Sequence, residues 1–291
     1  MEDYSLNGGN TAPRGAAGTV AGDKVWVVDV SRKVYVYDTA GGPLGSWTPG
    51  TLASNAVVEG IATNGTDVWI VDAKQDRVFR YTNAAGRTSG SQNAVSSFSL
   101  NSGNTSPKDI VTDGVNLWVV NDSTVDKVFK YSLSGSFLGS WTIGGAGSSP
   151  TGITLDPSGG GALWVVDSGT DRVYQFDDAR SRTSGSLSPS TSFALAAGNT
   201  NPQGIADPPA GRSLPAATPG RIRGLAGRAV TSRARPGHPE SRSTREAVRI
   251  AAGRTARGHG CLAMIDDRAL TELATDLLRG RIKRQRPASR G

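Results

Sequence analysis

Asp67-Val68-Trp69-Ile70-Val71-Asp72 is the stretch on which the fold turns, because near copies of it recur along the first two thirds of the chain. They read Lys24-Val25-Trp26-Val27-Val28-Asp29, Asn116-Leu117-Trp118-Val119-Val120-Asn121 and Ala162-Leu163-Trp164-Val165-Val166-Asp167. Each sets a Trp and three aliphatic residues in a short run between polar turn residues. That pattern suits a strand covered on both faces rather than one with a wet side. The spacings from Trp to Trp are 43, 49 and 46 residues, the range of radial or stacked repeats.

Each repeat holds four strand-like pieces. In the second they are Gly60-Ile61-Ala62-Thr63, then Val68 to Asp72, then Arg77-Val78-Phe79-Arg80-Tyr81, then Ser97-Phe98-Ser99-Leu100. The third piece alternates, Val78 and Arg80 to one side and Phe79 and Tyr81 to the other, as a strand does. Asn64-Gly65 and Asp113-Gly114 are turn dipeptides that tolerate positive φ, and Pro107, Pro150 and Pro202 precede first pieces, where a missing amide harms no ladder.

A longer period overlies the short one. Tyr4-Ser5-Leu6, Phe98-Ser99-Leu100 and Phe193-Ala194-Leu195 are spaced by 94 and 95 residues. The first and third repeats end in Leu44-Gly45-Ser46-Trp47-Thr48 and Leu138-Gly139-Ser140-Trp141-Thr142. The second and fourth reach their last piece through long loops, Gly86-Arg87-Thr88-Ser89-Gly90-Ser91 and Ser181-Arg182-Thr183-Ser184-Gly185-Ser186. The unit of repetition is therefore a pair.

With Gly-Ile-Ala, Trp-Val-Val-Asp and the Asp76-Arg77-Val78 or Asp171-Arg172-Val173 turns in view, residues 4–206 resemble NHL repeats and related six-bladed propellers. The match departs from the pattern in placing Trp on the second strand and Asn121 where Asp is usual. The resemblance implies an all-β fold, a β-propeller of four-stranded antiparallel blades with Gly-Ile-Ala innermost. Tyr4-Ser5-Leu6 would then be an outer strand that completes the last blade.

A fifth repeat opens at Gly198-Asn199-Thr200-Asn201-Pro202-Gln203-Gly204-Ile205-Ala206, but Ser213-Leu214-Pro215 stands where its Trp core is due. The propeller is thus expected to be incomplete or open, about four blades from a six-bladed ancestor, with two blade faces lacking neighbours and prone to self-association. The domains read as blades over 1–206 and an Arg-rich low-complexity tail over 207–291, with a short helix over 266–284 capped by Asp266.

Charge divides at the same place. Residues 1–210 carry 14 Lys and Arg against 19 Asp and Glu, and residues 211–291 carry 18 against 6, so the basic character belongs to the tail. All 18 aromatic residues lie at or before Phe193, and a segment with none buries little apolar area against its ordering entropy. Disorder is expected there, and nucleic acid is a partner only through that tail. Cys261 is the one cysteine, so no intrachain disulfide forms. The acidic first residues predict no signal peptide, and no apolar run reaches the roughly 20 residues of a membrane span. Compartment stays open: cytoplasmic by default, extracellular if the chain is part of a larger protein.

Catalytic signals are sparse. Both histidines, His238 and His259, lie in the tail, and Glu59, Asp109, Asp113 and Asp156 are the acids on or beside the inner strands. They leave open a carboxylate metal site of the propeller lyase or lactonase kind, though nothing in their spacing converges. Asp72 and Asp167 with the turns that follow read as caps on backbone amides, with the Asp paired to the following Arg77 or Arg172, rather than as Ca²⁺ ligands. The reading reached is a non-enzymatic interaction scaffold without cofactor, catalytic residue or metal. It would bind a protein or other ligand through rim loops, with Arg87, Thr88, Arg182 and Thr183 as contacts, since guanidinium forks suit carboxylates and phosphates. Trp26, Trp69, Trp118 and Trp164, inside apolar runs, read as core, while Trp47 and Trp141 on the outer strands are left open. This predicts that Trp69→Ala costs about 3 to 5 kcal/mol in denaturant unfolding, and a loss under about 1 kcal/mol would contradict burial.

Overall fold

The structure, a computed structural model, describes residues 5–18, 23–38, 40–156 and 159–206 and the backbone of 263–266. The first sheet is antiparallel in the order β1 (Pro13–Gly18), β2 (Lys24–Asp29), β3 (Val34–Asp38) and β4 (Pro43–Pro49). The second comprises β5 (Val58–Thr63), β6 (Val68–Asp72), β7 (Arg77–Tyr81) and β9 (Ser96–Ser99), with the short β8 (Ser91–Gln92) in the loop before its last strand. The third runs β10 (Pro107–Thr112), β11 (Asn116–Asn121), β12 (Lys127–Ser132) and β13 (Phe137–Ile143). The fourth has β14 (Pro150–Leu155), β15 (Leu163–Asp167), β16 (Arg172–Phe176) and β18 (Thr191–Ala194), with β17 (Ser186–Leu187) in its loop. A fifth sheet, among the described residues, consists of β19 (Pro202–Ala206) and β20 (Ala263–Asp266).

The sheets stack face to face. Each Trp of the repeated stretch points to the next sheet and its neighbours point back, so both faces are covered. Trp26, Val36 and Trp47 pack on Ile61, Ile70, Phe79 and Tyr81. Trp69, Val71 and Val78 meet Leu117, Val119, Phe129 and Tyr131, and Trp118, Val120 and Trp141 meet Leu163, Val165 and Phe176. Trp47 and Trp141, on outer strands, are both 1% exposed, and lie against Tyr81 and Phe176 at ring-centroid distances of 5.4 and 5.2 Å.

An incomplete propeller was expected, and among the described residues the fifth sheet holds two strands. Its inner edge is nevertheless closed: β1 packs beside β5, β5 beside β10, β10 beside β14, β14 beside β19, and β19 beside β1. The flanking faces expected to lie bare are consequently covered. Val27, Tyr35 and Tyr37 of the first sheet cluster with Leu6 and Ala206, and Trp164, Val166 and Val173 of the fourth cluster with Ile205. Leu6 thus sits on the first sheet, with Ser5 and Leu6 forming no strand, and Tyr4 lies outside the described residues. Asp266 ends β20, opposite Pro202. The rest of the proposed 266–284 helix, like the remaining tail, lies outside the described residues.

The long loops are not solvated spacers. β8 pairs in parallel with the outer strand β4 of the preceding sheet, and β17 pairs likewise with β13. Thr48 and Gly50 donate to the carbonyls of Gly90 and Gln92, and Ser140, Thr142 and Gly144 donate to those of Thr183, Gly185 and Leu187. The loops are straps fastening the second sheet to the first and the fourth to the third, which is why the sequence repeats as pairs. Gly45 and Gly139, at φ +145° and +143°, let the strap approach: a Cβ there would lie 2.2 Å from the Thr88 carbonyl oxygen and 2.3 Å from that of Thr183.

The Asp ending each Trp strand closes a turn. Asp72 accepts from the amides of Val57 and Lys74, Asp29 from Ala12 and Ser31, and Asp167 from Ser149 and Thr170. Asn121 keeps the Ser106 bond. Arg77 and Arg172 turn away from these carboxylates to serines of the outer strands, Ser97 and Ser99 or Ser192.

Candidate functional site

Each inner strand carries a bulge just after its first residue, as at Val58/Gly60 and Pro150/Gly152. A bulge re-aims one side chain, and here it turns Arg14, Glu59, Lys108, Thr151 and Gln203, one from each strand, into one mouth of the axis. With Asn201 they line a polar cavity of about 330 Å³. Arg14 approaches Glu59 at 3.6 Å and donates to the Gln203 amide oxygen at 3.1 Å. Burial raises the Glu59 pKa despite Arg14 and Lys108, which pull it down.

The next residue inward is Gly15, Gly60, Asp109, Gly152 or Gly204. Here the strands come so close that a Cβ on Gly15 would lie 2.6 Å from the Gly60 Cα, and one on Gly152 2.9 Å from that of Gly204. Asp109 takes the one side chain this layer admits. Fully buried, it accepts hydrogen bonds from the amides of Ile110 at 2.8 Å, Ile153 at 3.0 Å and Ile61. Three inner strands thereby give amide donors to one carboxyl group at the axis. Burial nevertheless pushes its pKa well above the usual carboxylate range, the three amides opposing without prevailing.

Beyond this plug lies a second cavity, of about 260 Å³, lined by the Ala, Ile and Thr side chains that end the inner strands and by Asp113, Asp156 and Arg180. Arg180 spans its edge, donating to Asp113 at 2.9 Å and to the Gly160 carbonyl at 3.1 Å, 5.9 Å above the Trp118 ring. Burial opposes ionisation of Asp113, but the Asn116 amide and Arg180 outweigh it and hold the carboxyl below its ordinary value.

The four acids singled out by sequence are therefore separated: Glu59 at one mouth, Asp113 and Asp156 at the other, Asp109 sealed between them. Among the described residues no three His, Cys, Asp or Glu side chains come together as metal ligands would. The rim candidates fall on the two straps. Thr88, Arg182 and Thr183 are exposed, while the half-buried Arg87 donates to Gln92 at 2.9 Å and to the Ser89 carbonyl. Arg180 was missed by sequence reasoning, although a signal existed: it stands where the other strap has the buried Ala85.

No protein-family model and no curated protein matches the sequence. Among solved structures, a Myxococcus xanthus glutaminyl cyclase aligns with 71% of this chain and 84% of its own at a TM-score of 0.50 and 10% identity. A chain of a nidogen–laminin complex aligns at 0.46 and 22% identity over 68% of this chain and 69% of its own. YCF48 bound to a D1 peptide aligns at 0.43 and 15% identity, over 70% and 59%. The chain is a β-propeller. At such identities the likeness concerns the fold, and the propeller's activity must be argued from its own residues. Among the described residues no helix is long and apolar enough to cross a membrane.

Asp109 gives the propeller a distinctive pH response. An unfolded Asp ionises near pH 4 while the buried one stays protonated, so the native state loses stability as pH rises above that point. Asp109→Asn cannot ionise. Unfolding free energies measured in urea from about pH 4 to pH 7 should show wild type losing about 1.4 kcal/mol per pH unit relative to the variant until the buried carboxyl itself ionises. A difference that stays flat or grows with pH would overturn this assignment.

Proposed function

We propose that this propeller is a non-enzymatic interaction scaffold that binds a protein through the rim carrying the two straps. The observation that carries the reading is their attachment. Strap backbones are hydrogen-bonded to the outer strands of the preceding blades, so Arg87-Thr88 and Arg182-Thr183 are presented by fixed chain, not by mobile loops. A contact surface held this way loses little conformational entropy when a partner docks. The second cavity opens on the same rim, with Arg180 at its edge, so strap and axis face one side. Arg182 offers an exposed guanidinium for a carboxylate or phosphate of the partner, while Arg87 has its fork partly spent on Gln92 and Ser89.

The experiment compares affinity capture by the wild-type propeller with that by Arg87→Ala/Arg182→Ala. Proteins enriched by wild type should fall roughly tenfold with the double variant, as loss of about 1.4 kcal/mol would give. Arg182→Ala alone, at the exposed position, should keep the melting temperature within about 2 °C of wild type, since exposed substitutions change stability little. Undiminished capture by the double variant would contradict the rim assignment.

A further inference from the structure

The polar mouth lies at the end of the axis away from the straps, and it holds charges that the chain pairs only loosely. In ring order the inner strands present Arg14 from β1, Glu59 from β5, Lys108 from β10, Thr151 from β14 and Gln203 from β19, each just after the first residue of its strand. Elsewhere along these strands the repeats agree. Gly follows in four of them, and then Ile in four. At this one level all five residues differ and all five are polar. Residues shared between repeats record packing, and five different polar side chains at a single level do not. All five, with Asn201, are partly exposed, so the cavity of about 330 Å³ that they line reaches solvent.

The two halves of this mouth are satisfied differently. Thr151 donates to the Pro202 carbonyl at 2.7 Å, and the Gln203 amide donates to the Asn201 side-chain oxygen at 3.0 Å while accepting from Arg14 at 3.1 Å. These groups hold one another. The charged half is looser: Arg14 Nε stands 3.6 Å from Glu59, and Lys108 Nζ stands 3.9 Å from Asp122, both beyond hydrogen-bond length. Glu59 has 18% of its side chain exposed, and burial raises its pKa although Arg14 and Lys108 pull it down. Its negative charge is thus under-compensated, and a further cation beside it would be favoured.

Around three adjacent strands the charges run plus, minus, plus: two cations, Arg14 and Lys108, against one carboxylate, a net of +1. A ligand that complements them runs minus, plus, minus, which is two carboxylates about one ammonium. Among the described residues that line this cavity none is aromatic or aliphatic, so an apolar substituent would find no partner there.

We propose that the polar mouth binds a small acidic amino acid, of the size and charge of aspartate, with its carboxylates on Arg14 and Lys108 and its ammonium on Glu59. Gln203 holds the Arg14 guanidinium in place, and Lys108 contributes a point charge. Thr151 and Gln203 form the uncharged wall. The proposal is independent of the rim reading, since it uses the opposite mouth.

Isothermal titration calorimetry of the full chain compares L-aspartate with succinate, the same four-carbon dicarboxylate skeleton without the amine. Aspartate should bind saturably at a single site and roughly tenfold more tightly than succinate, a difference of about 1.4 kcal/mol. Glu59→Gln removes the partner of the ammonium and should bring the two ligands level. Lys108→Met should weaken both roughly tenfold and keep the preference for aspartate, which tests the site through a second side chain. A cooperative melting transition establishes that each variant is folded before titration. Absence of saturable aspartate binding by wild type up to about 10 mM, equal affinity for succinate, or a preference for aspartate that survives Glu59→Gln would overturn the proposal. Inorganic phosphate binding as tightly as aspartate would mark a general anion site and would overturn it equally.

Discussion

The approach of five inner strands at the axis is the constraint on which the rest of the molecule depends. Here the inner edges of the sheets meet with almost no side chains between them, because the layer formed by Gly15, Gly60, Gly152 and Gly204 removes those side chains. Where that layer admits Asp109, the carboxyl draws amides from three strands together. An inner edge strand otherwise presents amides with no ladder partner, and buried amides of that kind are costly. The same residue that closes the axis therefore also satisfies it. This divides the channel into a charged polar mouth and a mostly apolar one, which is why the acids near the axis do not converge on a common site.

Further out, cohesion comes from indoles laid against the next sheet, and there the blades are not equivalent. Straps join first to second and third to fourth by backbone hydrogen bonds, with Trp47 and Trp141 buried beneath them. Between second and third blades the tie is different: the Asn104 turn and its bond to Tyr131. Two kinds of fastener thus alternate around the ring, and each explains one half of the 94 to 95 residue period. The rim proposal follows from this division, because it rests on the exposed side of the straps.

Much of this was legible before any coordinates. Apolar runs around Trp26, Trp69, Trp118 and Trp164 read as doubly covered strands because burial on both faces leaves no polar alternation. The turn role of Asp72 and Asp167 was likewise legible, since Asp before a short polar turn caps amides. The straps were not. Gly86 to Ser91 reads as a flexible polar loop because its fastening runs through main-chain atoms, which leave no trace in side-chain chemistry. Closure of the inner edge also escaped, for it depends on how tightly glycine layers let strands converge, not on any pattern along one strand. Arg180 was visible only as a break in symmetry, an Arg where the other strap has Ala85. In a repeat protein such breaks point to function or loss more directly than the shared residues, which record packing.

The account depends most on the sealed axis, and amide hydrogen exchange resolved by residue tests it directly. If Asp109 ties three inner strands, the amides of Ile61, Ile110 and Ile153 should exchange only through global unfolding, with the slowest rates in the chain and sensitive to denaturant in proportion to the whole transition. Exchange of these three amides at rates typical of open strand edges would show that the inner strands do not meet, and the closed ring would have to be abandoned.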